Sequence, residues 1–115
     1  MICSVVDKKA LLDTLDNDAQ LLKEVINLFL SDCPEKMAEL RTAVGAHNSN
    51  QIAIVSHALR GSVSTFGAKD AVEAAQNLES MGRQGKVEGV EEAFSALERE
   101  ISLVTSDLDQ IAKDA

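Results

Sequence analysis

The sequence is poor in aromatic residues and in residues that interrupt regular structure. It has no tryptophan and no tyrosine, three phenylalanines, one proline and six glycines among 115 residues. Hydrophobic residues still make up 45% of the chain, which excludes a disordered polyelectrolyte and requires a core built mainly from aliphatic side chains. Sparse proline and glycine favour a few long helices over many short strands. The length suits one compact domain over residues 1–115.

Basic side chains are also scarce. Eleven lysines and arginines stand against nineteen aspartates and glutamates, so the net charge at pH 7 is −8. A nucleic-acid-binding protein needs a basic surface that displaces counterions from phosphates. The charge balance therefore argues against that class of function.

The sequence lacks a cysteine framework, a metal-ligand pattern and a membrane span. Cys3 and Cys33 are too few and too far apart for a disulfide framework or a zinc site, and we expect Cys33 to be a small buried residue. No apolar run approaches the ~20 residues of a transmembrane helix, and the first residues lack the features of a signal peptide. We expect a cytoplasmic protein, or the cytoplasmic module of a longer membrane-anchored chain.

Hydrophobic residues recur at helical spacing along most of the chain. They predict helices over residues 7–15, 18–45, 49–66, 68–83 and 88–112. Asp18 is a predicted N-cap, Asn48 and Gln51 resemble a capping box, and Gly67 suits the left-handed position that follows a helix.

One of the predicted helices contains the single proline, Pro34. A proline removes a backbone hydrogen bond, but the apolar stripe keeps its phase on both sides, which favours one long, locally bent helix over two. The last stripe alternates spacings of four and three, as in a helix of an antiparallel bundle. The predicted fold is all-α: an antiparallel four-helix bundle with a short additional N-terminal helix.

His57 is predicted to lie at the centre of the outward face of the third helix. On a helical wheel, the apolar residues Val55, Leu59 and Phe66 fall near the opposite pole. Most residues near His57 are small or polar; they are Asn50, Ala53, Ile54, Arg60, Gly61 and Ser64. The phase of the helix argues against a core histidine but allows an idle surface histidine.

Two neighbours of His57 favour a chemical role. Gly61 lies one turn later, and a glycine inside a helix costs ~1 kcal/mol relative to alanine, which suggests that another molecule approaches the backbone there. Arg60 places a guanidinium on the same side, where it can pair with phosphoryl oxygens. Since a neutral imidazole is a good nucleophile near pH 7, this arrangement suits a histidine that carries phosphate.

Several separated motifs support this interpretation. The run His57-Ala58-Leu59-Arg60-Gly61-Ser62, continued by Phe66-Gly67-Ala68, resembles the signature of histidine-containing phosphotransfer (HPt) domains of bacterial two-component phosphorelays. The upstream stretch Leu28-Phe29-Leu30-Ser31-Asp32-Cys33-Pro34 resembles the family's Leu-Phe-Leu-x-Asp-x-Pro stretch, and Leu78-Glu79 resembles its Leu-Glu pair. The resemblance extends over about residues 10–110.

The resemblance implies a phosphorelay carrier. His57 would accept a phosphoryl group on Nε2 from the aspartyl-phosphate of a receiver domain and pass it to another receiver. The partners would be response-regulator receiver domains and a hybrid histidine kinase, and the Mg²⁺ and the acidic cluster would belong to the receiver. The chain would need no cofactor and would be no kinase, since it has no Gly-rich phosphate loop such as G-x-x-x-x-G-K.

The resemblance also implies roles for neighbouring residues. Arg60 stands in place of the usual lysine and would offset phosphate charge, and Gly61 would leave room for the receiver. Ser64 is on the His57 side of the helical wheel, and we expect it to support the phosphate. Glu79 and Arg83 align with positions near the phosphorylated histidine, but they also suit a surface i, i+4 ion pair worth ~0.2–0.5 kcal/mol. An exposed apolar patch is expected for docking, formed by Ile54, Ala53, Leu28 and Val25.

Two other functions stay open at this point. A helical-bundle adaptor would bind protein partners with His57 incidental, and the first domain of a chemotaxis-type kinase would receive phosphate from ATP in trans. The Leu-Phe-Leu-x-Asp-x-Pro stretch favours the HPt interpretation over the second of these. We expect a monomer without direct membrane insertion, and we expect His47 to cap carbonyls or face solvent.

Overall fold

The computed structural model describes residue 6, residues 11–13 and residues 15–114. Residues 11–13 are helical and form α1. The four longer helices are α2 (Ala19–Gly45), α3 (Ser49–Ser64), α4 (Lys69–Gln84) and α5 (Val90–Asp114). Within these described ranges no residue belongs to a β-strand, and the predicted bounds of the long helices lie within two residues of the observed ones. Residues 7–10 and 14 of the predicted first helix, and Cys3, lie outside the described residues.

Each long helix packs against two others. α2 contacts α3 and α5, and α4 also contacts α3 and α5, so the four helices form a ring in which α3 lies diagonally opposite α5. Short connections make successive helices antiparallel. The inward faces supply a continuous aliphatic core, whose largest fully buried side chains include Leu22, Ile26, Leu40, Ile52, Leu59, Leu78, Leu97 and Leu108. The predicted four-helix bundle with a short N-terminal helix is confirmed.

The helix ends follow the local chemistry of the sequence. Oδ1 of Asp18 accepts a hydrogen bond from the Leu21 amide at 3.1 Å, and Oδ1 of Asn48 accepts one from the Gln51 amide at 3.2 Å. Only half of the predicted capping box forms, because the Asn48 amide donates to the Ala43 carbonyl at 2.9 Å. Gly67 has a φ of 67°, the left-handed conformation expected after α3.

Pro34 does not interrupt α2, which continues from Ala19 to Gly45. Because proline has no amide hydrogen, the carbonyl one turn before Pro34 lacks its helical hydrogen bond. The side chain of Pro34 is exposed, so water can reach this carbonyl. The prediction of a single long helix is therefore confirmed.

The packing of α3 against α4 matters most for the candidate site. Gly82 on α4 is buried, and a Cβ atom added there would lie 2.7 Å from the backbone nitrogen of Ala53 and 2.7 Å from the carbonyl oxygen of Ser49. Such distances are too short for a real side chain. The absence of a side chain at Gly82 thus sets how closely the two helices approach.

Candidate functional site

The imidazole of His57 stands on the outer face of α3. Its side chain is 58% exposed, whereas Val55, Leu59 and Phe66 are 1–3% exposed on the opposite face of this helix and its C-terminal turn. The orientation predicted from the helical wheel therefore agrees with the structure.

A buried carboxylate from α4 contacts this exposed ring. The Glu79 side chain is 5% exposed, and its Oε2 lies 3.0 Å from Nδ1 of His57. Gly82, one turn further along α4, allows the helix to come close enough to α3 for this contact. The i, i+4 ion pair between Glu79 and Arg83 is present, but its carboxylate is buried and also contacts His57.

Two arginines complete the group around Glu79. Arg83 Nη2 lies 2.6 Å from Oε2 of Glu79, and Arg60 Nε lies 3.0 Å from Oε1. The other end of the Arg60 guanidinium, Nη2, lies 3.0 Å from Nδ1 of His57. A buried charge requires such partners. We call His57, Arg60, Glu79 and Arg83 the His57 cluster.

The contacts between the His57 ring and the rest of the His57 cluster involve one of its two nitrogens. Both ring contacts described above use Nδ1. When Nδ1 carries the proton and donates it to Glu79, Nε2 has a free lone pair. The arrangement can therefore orient a nucleophilic nitrogen toward solvent.

Open space surrounds the next turn of α3. A Cβ atom added to Gly61 would meet no heavy atom within 4 Å, so neither packing nor backbone conformation within this structure requires glycine there. Ser64 is exposed and lies beside Gly67, Lys69 and Val72, one helical turn after Arg60 on α3.

The predicted docking residues divide into two groups. Leu28 and Ile54 are large hydrophobic residues that are 64% and 56% exposed, and Val25 is half-buried beside Leu28 in a shallow groove between α2 and α3. Ala53 forms the second group. It is half-buried and its backbone lies against Gly82, because α4 approaches this side of α3 more closely than a single-helix wheel can indicate.

His47 behaves differently from His57. It is exposed at the end of α2, as predicted, with a φ of 52°. Its Nε2 lies 2.8 Å from Oε1 of Glu91, a contact that the sequence did not indicate. The hydrogen bond from His47 holds the pKa of the Glu91 carboxyl below its ordinary value.

The histidine, cysteine, aspartate and glutamate side chains of the described residues form no candidate metal site. Among the described residues, no group of three or more histidine, cysteine, aspartate or glutamate side chains could hold a metal ion. Cys33 is free and buried, as predicted, and burial raises the pKa of its thiol to about 11.

Sequence analysis missed how Glu79 reaches the site. The Leu78-Glu79 pair drew attention to the residue, but the sequence alone left a surface ion pair equally acceptable. A signal was present, because Glu79 shares the inward side of α4 with Ala75, Leu78 and Gly82, all of which are buried. A carboxylate among such neighbours indicates a paired internal charge.

Comparisons with known proteins identify the family and the fold. The profile of the family described as the Hpt domain matches residues 24–112. The fold is similar to the crystal structure of histidine-containing phosphotransfer protein B (HptB) from Pseudomonas aeruginosa PAO1, with a TM-score of 0.89, 19% sequence identity and coverage of 99% of each chain. The search of curated proteins gives no match.

Proposed function

The chain belongs to the Hpt domain family and is a histidine phosphotransfer carrier of phosphorelays, and we propose that His57 is the residue that carries the phosphoryl group. The observation that carries this proposal is the exposed imidazole whose Nδ1 lies 3.0 Å from the buried carboxylate of Glu79. Of the two histidines in the chain, the other, His47, lies at the end of α2 and pairs through Nε2.

The transfer step uses the lone pair of Nε2. This nitrogen attacks the phosphorus of the aspartyl-phosphate on a receiver domain, the P–O bond to aspartate breaks, and the aspartate leaves as a carboxylate. Nδ1 keeps its proton, so positive charge develops on the ring as the N–P bond forms. The Glu79 carboxylate, which accepts from Nδ1–H, stabilises this charge. In the reverse step, an aspartate carboxylate of a second receiver attacks the phosphorus and Nε2 leaves.

The arginines of the His57 cluster favour the phosphorylated state. Arg60 and Arg83 bring two positive charges to one buried carboxylate, so the surroundings of the neutral imidazole carry a net positive charge. A phosphoryl group is a dianion near pH 7 and gains from such surroundings.

The outer face of α3 suits an acidic partner. Residues 49–64 contain no aspartate or glutamate, although the whole chain has nineteen. A receiver whose active site is acidic and holds Mg²⁺ therefore meets less repulsion at α3 than elsewhere on this chain. The metal required for transfer is assigned to that receiver. Ile54, one helical turn before His57 on α3, and Leu28 on the adjacent α2 supply exposed apolar area for a transient interface.

Hpt domains interact with receiver domains and kinases in phosphorelays; for this chain we propose transfer between two receivers, one of them in a hybrid histidine kinase. Among the described helices, none combines the length and the apolar character needed to cross a bilayer.

The proposal is tested by transfer from a receiver domain that has been loaded with a small acyl phosphate in the presence of Mg²⁺. The wild-type chain should acquire an acid-labile phosphoramidate, and His57→Gln should acquire none. Circular dichroism and the melting temperature of the variant should stay near wild type, because an exposed side chain contributes little to stability.

His47→Gln is the matched control, since it removes the other imidazole and should label like wild type. Labelling that persists in His57→Gln would reject the assignment.

A further inference from the structure

Two groups meet the imidazole of His57 at the same nitrogen. Nη2 of Arg60 and Oε2 of Glu79 each lie 3.0 Å from Nδ1. A guanidinium only donates hydrogen bonds, so Arg60 can bond to Nδ1 only when that nitrogen carries no proton. A carboxylate only accepts, so Glu79 can bond to Nδ1 only when that nitrogen is protonated. The two contacts exclude each other, and each selects a different tautomer of the neutral ring.

We propose that Arg60 is a positioning residue that controls the tautomer of His57, an inference that rests on the proposed role of His57. While Arg60 donates to Nδ1, the ring proton lies on Nε2, and Nε2 has no lone pair for attack on phosphorus. When Glu79 accepts from Nδ1–H, the lone pair of Nε2 is free. Arg60 thus stabilises the unreactive tautomer of the unphosphorylated protein, and Glu79 stabilises the reactive tautomer.

The other oxygen of Glu79 offers Arg60 a second hydrogen-bonding position. Oε1 is buried and has no aligned hydrogen-bond donor, although Nε of Arg60 is only 3.0 Å away. A buried carboxylate oxygen without a hydrogen bond is unfavourable. A rotation of the guanidinium that aims Nε–H at Oε1 satisfies this oxygen and withdraws Nη2 from Nδ1. Arg60 then remains anchored to Glu79 while its outer nitrogens are free for phosphoryl oxygens.

This exchange requires arginine. The guanidinium offers separate nitrogens to Oε1 and to Nδ1, whereas lysine has one nitrogen at the end of a flexible stem. A lysine ammonium carries its three donors on one nitrogen, so pairing with Oε1 of Glu79 does not hold a second, fixed nitrogen against Nδ1. Arg60→Lys therefore keeps the positive charge but removes the control of the tautomer.

The test is long-range ¹H–¹⁵N NMR of the unphosphorylated full chain, at a pH where both imidazoles are neutral. The spectrum reports which nitrogen of each ring carries the proton. Arg60→Met should raise the ratio of the Nδ1–H to the Nε2–H tautomer of His57 by about tenfold, which corresponds to the loss of one charge-assisted hydrogen bond. Arg60→Lys should give a similar increase. Glu79→Gln should shift the ratio in the opposite direction, because an amide can donate to Nδ1.

Arg41→Met is the matched control. It removes a guanidinium that pairs with Glu98 on α5 and should leave the His57 ratio unchanged. His47, which pairs with Glu91, serves as a reference for the fold in every spectrum. An unchanged His57 ratio in Arg60→Met, or an equal shift in Arg41→Met, would overturn the inference.

The NMR spectra are recorded without phosphoryl transfer. The phosphorylation of His57 and the control of its tautomer by Arg60 are therefore tested separately. Persistent labelling of His57→Gln rejects the phosphorylation site whatever the tautomer ratios are. Normal labelling of His57 together with an unchanged ratio in Arg60→Met rejects only the role of Arg60.

Discussion

Gly61 lies inside α3 with open space where a side chain would be. A glycine in a helix interior lowers stability relative to alanine, and apart from the adjoining helix backbone no described atom lies within 4 Å of the missing Cβ. The benefit of this glycine must therefore arise outside the isolated molecule. In the proposed function it comes from a receiver whose backbone or side chains approach the helix beside His57.

Gly61→Ala is accordingly expected to increase the free energy of unfolding by about 1 kcal/mol, measured by urea denaturation. The same change should slow phosphoryl transfer from a receiver, because the added methyl group obstructs close docking. Gly45→Ala, at another glycine with open surroundings, is the control and should leave the transfer rate unchanged. Transfer at the wild-type rate in Gly61→Ala would contradict this explanation of the glycine.

The pair of helices α3 and α4 builds the site, since neither helix holds it alone. α3 supplies His57 and Arg60, and α4 supplies Glu79 and Arg83. The distance between the two helices is set at Gly82, where backbone atoms of Ser49 and Ala53 occupy the space of a side chain.

Gly82→Ala should therefore destabilise the protein by about 1–3 kcal/mol, because the new Cβ forces the helices apart, even though alanine is the better helix former. The comparison with Gly61→Ala isolates packing from helix propensity, since both changes are the same substitution within a helix. Denaturation midpoints of the two variants should move in opposite directions. If Gly82→Ala is as stable as wild type, the close approach of α3 and α4 is not the constraint that the structure indicates.

The difference between the face of a single helix and the separation of two helices explains how much the sequence could predict. Periodicity places each helix and its inward face, because burial of one apolar stripe decides both, and it placed His57 outward correctly. It also puts Glu79 on the inward side of α4, but it could not predict that this carboxylate contacts His57 or that the Ala53 backbone lies against Gly82, because these contacts depend on how far apart two helices lie. That separation is determined by a glycine on α4 and by backbone atoms on α3, which have no signature in the hydrophobic pattern of either helix.

At the scale of the whole molecule, the ring of helices separates two exposed apolar regions. Ile54 lies on α3 and Leu28 on the adjacent α2, whereas Leu103, which is 49% exposed, lies on α5 diagonally opposite α3. The negative charge of the chain is spread over the other elements and is missing from α3. An acidic partner is therefore directed toward the face that carries His57.

Ile54→Asp should reduce the rate of transfer from a receiver by about tenfold or more, because it removes apolar contact area and adds a repelling charge. The melting temperature should change little, since the Ile54 side chain is 56% exposed. Leu103→Asp makes the same kind of change on α5 and should transfer at the wild-type rate. Equal losses in both variants would show that net charge, and not the surface around His57, controls docking.

The contrast between Gly61 and Gly82 has a practical consequence. Selection of variants for thermal resistance alone should retain glycine at position 82 and replace it at position 61. Selection for signalling in cells should retain both. Positions on α2 and α3 that accept substitution under the first selection but not under the second would outline the surface that the binding partner covers, before that partner has been identified.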